Sequence, residues 1–109
     1  MPERVEPDSG VVTETQTQTE RKLKRPQLYK VLFHNDNYTT RDFVVAVLQE
    51  VFHKSESDAV AIMLHVHNTG VGVAGVYTFD VARTKIDLVE ALAREHEFPL
   101  RLTMEPEEI

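Results

Sequence analysis

The chain has no cysteine, no tryptophan and only four glycines in 109 residues. Without cysteine there is no disulfide framework, thiol nucleophile or thiolate metal site, and a reducing compartment is permitted. Aromatics at 7% within an apolar fraction of 41% set a modest core. Such a core suits a sheet covered on one face by helices but not a large internal cavity, so any ligand site should be shallow. No stretch approaches the ~20 apolar residues of a membrane span, and residues 1–10 lack the apolar run of a signal peptide. A soluble, cytoplasmic protein with no membrane partner is expected. Positive charge is scarce too: 12 Lys and Arg face 18 Asp and Glu, a net charge of −6 that repels phosphate backbones. The one basic cluster, Arg21, Lys22, Lys24 and Arg25, has no interleaved aromatics and reads as a solvated charge run, so no nucleic-acid partner is expected.

Catalytic motifs are missing as well. There is no nucleotide-binding glycine loop, no HExxH and no GxSxG, so no catalytic residue is assigned, and neither an enzyme nor a cofactor is expected. His65 and His67 would stand about 200° apart on a helix, too far round to share a metal unless His34 or His53 joined them. No metal ligands are assigned, although a small histidine-dependent metalloprotein stands as one alternative.

What is present fits one domain. Residues 1–26 contain no aromatic, and the run TETQTQTE at 13–20 cannot bury enough area to offset its ordering entropy, so a flexible N-terminal extension is expected there. The domain should span 27–105. Residues 28–33 are rich in β-formers and run into a turn at His34, Asn35, Asp36 and Asn37. Thr39 stands three residues before Asp42 as a near capping box, opening a helix whose apolar face carries Phe43, Val44, Val47, Leu48, Val51 and Phe52. Ser55 with Asp58 repeats the start signal for a second helix with a stripe of Ala59, Ile62, Met63, Val66 and His67, closed by Gly70. Residues 72–79 read as a strand, and Asp80 can cap a third helix carrying Val81, Leu88, Val89 and Leu92. Alternation of Leu100, Leu102 and Met104 with polar residues gives a last strand, before an acidic end at 106–109 expected to be disordered. The order β-α-α-β-α-β predicts an α/β two-layer sandwich, a three-stranded sheet with three helices on one face.

By pattern alone the polar candidates remain ambiguous. A lone histidine on an apolar helix face, such as His67, is more often a satisfied core residue than a ligand contact, and Asx residues ahead of a helix usually make turns and caps. Their combination points elsewhere: an Asn-Asp loop ends a strand, and Met63 and His67 lie one turn apart on one helix side. Together they could set a polar rim over an apolar pocket.

Five segments are jointly distinctive: Leu28-Tyr29-Lys30-Val31, Asn35-Asp36-Asn37-Tyr38-Thr39, Met63-Leu64-His65-Val66-His67, Val81-Ala82-Arg83-Thr84-Lys85 and Phe98-Pro99-Leu100. In order and spacing they resemble the signature of the ClpS family from about Pro26 to Glu105. The resemblance implies an adaptor that binds N-degron substrates, proteins beginning with a bulky hydrophobic residue, and delivers them to a ClpA-type AAA+ unfoldase and its protease. It puts the amine-binding residues at Asn35, Asp36 and His67, and the side-chain pocket at Thr39, Val44, Met63 and Leu100. A free α-ammonium has three donors, which the Asn35 carbonyl, Asp36 carboxylate and His67 ring nitrogen can accept. Asp80 and Lys85 become candidate contacts to the unfoldase's N-terminal domain, against the plainer readings of a helix cap and an exposed charge, and a monomer is expected. Two residues depart from the family pattern: Asn37 replaces a common aspartate, and Arg41 stands at a rim position where methionine is frequent. Arg41 can reach over the pocket mouth and favour aromatic first residues over leucine. The alternative is a non-degradative protein-interaction module of the same α/β architecture, with no preference for free N-termini.

Overall fold

The computed structural model describes residues 25–108, and the extension expected over 1–26 therefore lies, apart from Arg25 and Pro26, outside the described residues. Its elements are β1 (Leu28–His34), α1 (Arg41–Glu50), α2 (Glu56–Thr69), β2 (Val71–Thr78), α3 (Phe79–Glu95) and β3 (Arg101–Pro106). The strands form one antiparallel sheet in the order β2-β1-β3. This is the β-α-α-β-α-β sandwich that the pattern predicts.

Strand alternation decides which face is covered. Val31 and Phe33 on β1 are fully buried, Lys30, Leu32 and His34 point the other way, and Leu102 joins the inner face from β3. Against that face the helices bury Val44, Val47, Leu48, Ala59, Val66, Ala82, Ile86, Val89 and Ala93, with Phe52 edge-on to Phe33 at 5.5 Å. The register slips between Val31, which faces Gly75, and Leu32, which faces Val73, leaving Ala74 as the extra residue of a bulge.

Element boundaries depart from the sequence expectation at three places. The side chain that caps α1 belongs to Thr40, whose Oγ1 accepts from the Phe43 N–H at 3.1 Å, because the Thr39 hydroxyl is already committed to the Asp36 carboxylate. Asp80 does not cap α3: β2 passes directly into the helix at Thr78, and Asp80 sits inside the first turn, where its charge complements the helix dipole. The expected ordered limit at 105 also falls short, since β3 includes Pro106 and the Glu107 N–H donates to the Leu28 carbonyl at 2.8 Å. Ser55 behaves as expected, accepting from the Asp58 N–H at 3.2 Å.

One glycine governs the site. Gly70 closes α2 at φ 98°, a left-handed conformation that disfavours a side chain, and returns its N–H to the Val66 carbonyl at 2.8 Å. The Gly70 carbonyl then accepts the Asn35 N–H at 2.9 Å, tying the β1–α1 loop to the end of α2.

Candidate functional site

That tie creates a pocket. The β1–α1 loop, the first turns of α1 and the last turns of α2 enclose about 390 Å³, lined by residues 35–41 with Val44, Met63, Val66 and His67. A small recess of about 20 Å³ shares Asn35, Asp36, Thr39, Val44 and Val66 and reaches Phe33, His34 and Leu100. Thus Asn35, Asp36, Thr39, Arg41, Val44, Met63 and His67 come together on one opening, and Leu100 contributes from the inner end.

The walls divide by chemistry. Val44 and Val66 are buried, Met63 is half-buried, and Leu100 is buried where the chain turns out of α3. Phe98 holds that turn, packing edge-to-face on Phe43 at 5.2 Å. His67 is exposed, so it is not the satisfied core histidine that its helical stripe favours. It follows Met63 by four residues and stands above it on α2.

Asp36 organises the rim. One carboxylate oxygen accepts from the N–H groups of Tyr38 and Thr39, both at 2.7 Å, and the other accepts the Thr39 hydroxyl at 2.7 Å. Burial alone would raise this carboxyl, but the Thr39 N–H and hydroxyl and the Tyr38 N–H outweigh it and hold the pKa below its ordinary value. The carboxylate therefore stays charged in the rim. Each oxygen accepts two donors comfortably, so the oxygen bonded to the Thr39 hydroxyl retains capacity for one more.

Arg41, the first residue of α1, crosses the mouth and donates from Nη2 to His67 Nε2 at 2.9 Å. A guanidinium has no acceptor, so His67 is the acceptor here and carries its hydrogen on Nδ1. The family resemblance puts Arg41 at the rim but contains no sign of this bond, which joins residues on different helices. Val66 was legible only as core, yet it lines both pocket and recess. Tyr38, 75% exposed on the rim, likewise had no helical or strand pattern to mark it.

Asp80 and Lys85 lie elsewhere, with Val81 and Thr84 around a shallow hollow on the outer side of α3. Asp80 is exposed, and Val81 and Leu88 present apolar area nearby. Lys85 is half-buried rather than a plain surface charge, because its ammonium donates to the Val51 carbonyl. Among the described residues no group of three or more His, Cys, Asp or Glu side chains is arranged to hold a metal ion, and no helix is long and apolar enough to cross a membrane.

Fold and site together define a small pocket-bearing α/β domain, its hollow apolar at the base and rimmed by an Asn-Asp loop and a helix-borne histidine. Residues 24–103 match the family model of ClpS, the ATP-dependent Clp protease adaptor protein. The ATP-dependent Clp protease adapter protein ClpS of Myxococcus xanthus is 68% identical over 108 residues, covering 99% of each chain. The protein of the same description from Desulfatibacillum aliphaticivorans is 58% identical, covering 84% of this chain and 88% of its own. Agrobacterium tumefaciens ClpS2, solved bound to L-phenylalaninamide, aligns with a TM-score of 0.73 at 44% identity, covering 76% of this chain and all of that one. This chain belongs to the ClpS family of Clp protease adaptors, a family named for an adaptor role rather than a catalytic one.

Proposed function

We propose that the pocket captures the first residue of a protein chain and that the protein so held is delivered to a ClpA-type AAA+ unfoldase for degradation. The observation that carries this reading is the meeting of two chemistries in one hollow. Asn35, Asp36 and His67 offer acceptors on one side, and Val44, Met63 and Leu100 offer apolar wall on the other. L-Phenylalaninamide, bound by the A. tumefaciens relative, has the matching halves, a free α-amine and an apolar ring. An α-ammonium brings three donors and a charge, whereas an internal peptide nitrogen brings one donor and none, so this acceptor set selects chain termini. The apolar wall rewards a large first side chain at about 25 cal/mol per Å² of area removed from water. Methionine adapts to both aromatic and aliphatic guests. Arg41 at the mouth adds a planar cation that stacks on a ring, favouring aromatic first residues over leucine.

Delivery needs a second surface, and the outer side of α3 around Asp80 and Lys85 supports that role through its exposed acid and the apolar area of Val81 and Leu88. The test of the reading is acetylation. A phenylalanine-initiated peptide with a free amine should bind in a fluorescence-anisotropy titration, and its N-acetylated twin should bind at least about tenfold more weakly, the loss expected for charge-assisted bonds in a partly desolvated site. Equal affinities would instead indicate an interaction module indifferent to chain termini.

A further inference from the structure

The bond from Arg41 to His67 bears on which chains the pocket accepts, and the inference rests on the amine-capture reading above. A neutral imidazole has one acceptor nitrogen, and Arg41 Nη2 occupies it at 2.9 Å. An α-ammonium is also a pure donor. The two cations therefore compete for a single lone pair, and a ligand amine that reaches His67 Nε2 must displace the guanidinium. The ion pairs among the described residues join Lys30 to Glu105 and Arg83 to Asp87, so Arg41 is held by none of them.

Arg41 is also poorly placed for helix stability. It is the first residue of α1, where the helix dipole is positive and a cation is disfavoured, and Asp42 beside it supplies the acidic charge that this turn prefers. Its side chain is exposed and spans the mouth through which the rest of a bound chain must leave. We propose that Arg41 is a specificity determinant: it yields His67 to the incoming amine and then reads the second residue of the bound chain, favouring an acidic side chain and disfavouring a basic one. Carboxylate geometry suits this, because a guanidinium pairs with it through two parallel N–H bonds.

The sign of the preference is diagnostic. The net charge of −6, with Asp36 and Asp42 close by in the chain, would by itself favour a basic second residue. Phenylalanine-initiated peptides with Glu, Gln or Lys in second place should be titrated by anisotropy at low salt against wild type, Arg41→Gln and Arg41→Glu. Wild type should bind the Glu peptide about fivefold more tightly than the Lys peptide, a ratio in keeping with exposed charge pairs, and the ratio should shrink in high salt. Arg41→Gln should remove the preference, and Arg41→Glu should reverse it. Tight binding of all three peptides by wild type with no Glu-over-Lys preference overturns this inference and leaves amine capture standing. A preference that survives in Arg41→Gln overturns it too, and failure of every free-amine peptide to bind overturns both.

Discussion

The ammonium of Lys85 donates to the Val51 carbonyl at 2.6 Å and lies 5.2 Å from the ring centroid of Tyr77 and 5.6 Å from that of Phe52. Val51 is the C-cap of α1, whose last carbonyls lack partners within the helix, so Lys85 on α3 satisfies one of them from across the core. Lys85→Ala should therefore lower stability by about 1–2 kcal/mol, through loss of a charged hydrogen bond and two cation–π contacts. Urea unfolding checks this, and an unchanged midpoint would show that Lys85 acts only at the surface. Asp80 only complements the α3 dipole from the first turn, so Asp80→Ala is the cleaner probe of the proposed unfoldase contact.

His67 is exposed, and its removal opens no cavity in the core. His67→Ala should leave the unfolding midpoint near that of wild type and weaken a phenylalanine-initiated peptide by about tenfold, ~1.4 kcal/mol, for one lost charge-assisted bond. Isothermal titration calorimetry measures it. The same Kd in both proteins would take His67 out of the amine site.

Asp36 makes the rim pH-dependent in a defined direction. Its pKa is lowered on folding, so the folded state favours the carboxylate, and its contribution is fully present above the ordinary carboxylate value of about 4. That contribution fades as pH falls through the lowered folded value, when the bonds from Thr39 and Tyr38 lose their charged acceptor. Peptide affinity should thus be flat from about pH 7 to pH 5 as far as Asp36 is concerned and fall only at pH values below the ordinary carboxylate range, where the lowered folded pKa lies. Asp36→Asn should remove the acid limb, and a limb that persists in that variant would assign it to another group.

Gly72 faces Phe33 across the sheet, and a Cβ there would stand 2.7 Å from Val66 Cγ2 and 3.2 Å from the His65 ring. Val66 is β-branched and buried on a helix, so it cannot swing aside without moving α2. Because Val66 lines both pocket and recess, Gly72→Ala should cost about 1–3 kcal/mol of stability and reduce peptide affinity as well. Thermal unfolding and anisotropy on the same preparation test the pair, and wild-type values for both would mean that the strand relaxes away from α2.

Much of this protein was legible in the order of its residues. Apolar spacing on α1 and α2, the Ser55 cap, Gly70 and the alternation on β1 and β3 are local signals, since one side chain's helical or strand neighbours lie within four residues. The combination of the Asn-Asp loop with Met63 and His67 hinted at a polar rim over a pocket, but the roles of its members and the inclusion of Leu100 were legible only through resemblance, because the loop, α2 and Leu100 are far apart in sequence. Pattern alone favoured a core role for His67, which the structure leaves exposed. Capping moved from Thr39 to Thr40 because Asp36 competes for Thr39, a choice settled by loop geometry that no spacing rule contains. Lys85 reads as a surface charge along α3 and becomes half-buried only when α1 ends beneath it. The bond between Arg41 and His67 likewise exists only because the Asn35–Gly70 tie brings the start of α1 to the end of α2. Sequence determined the elements and their faces, because those depend on neighbours along the chain. Tertiary structure alone decided which polar groups meet, because a hydrogen bond between residues 26 apart depends on packing to within a fraction of an ångström.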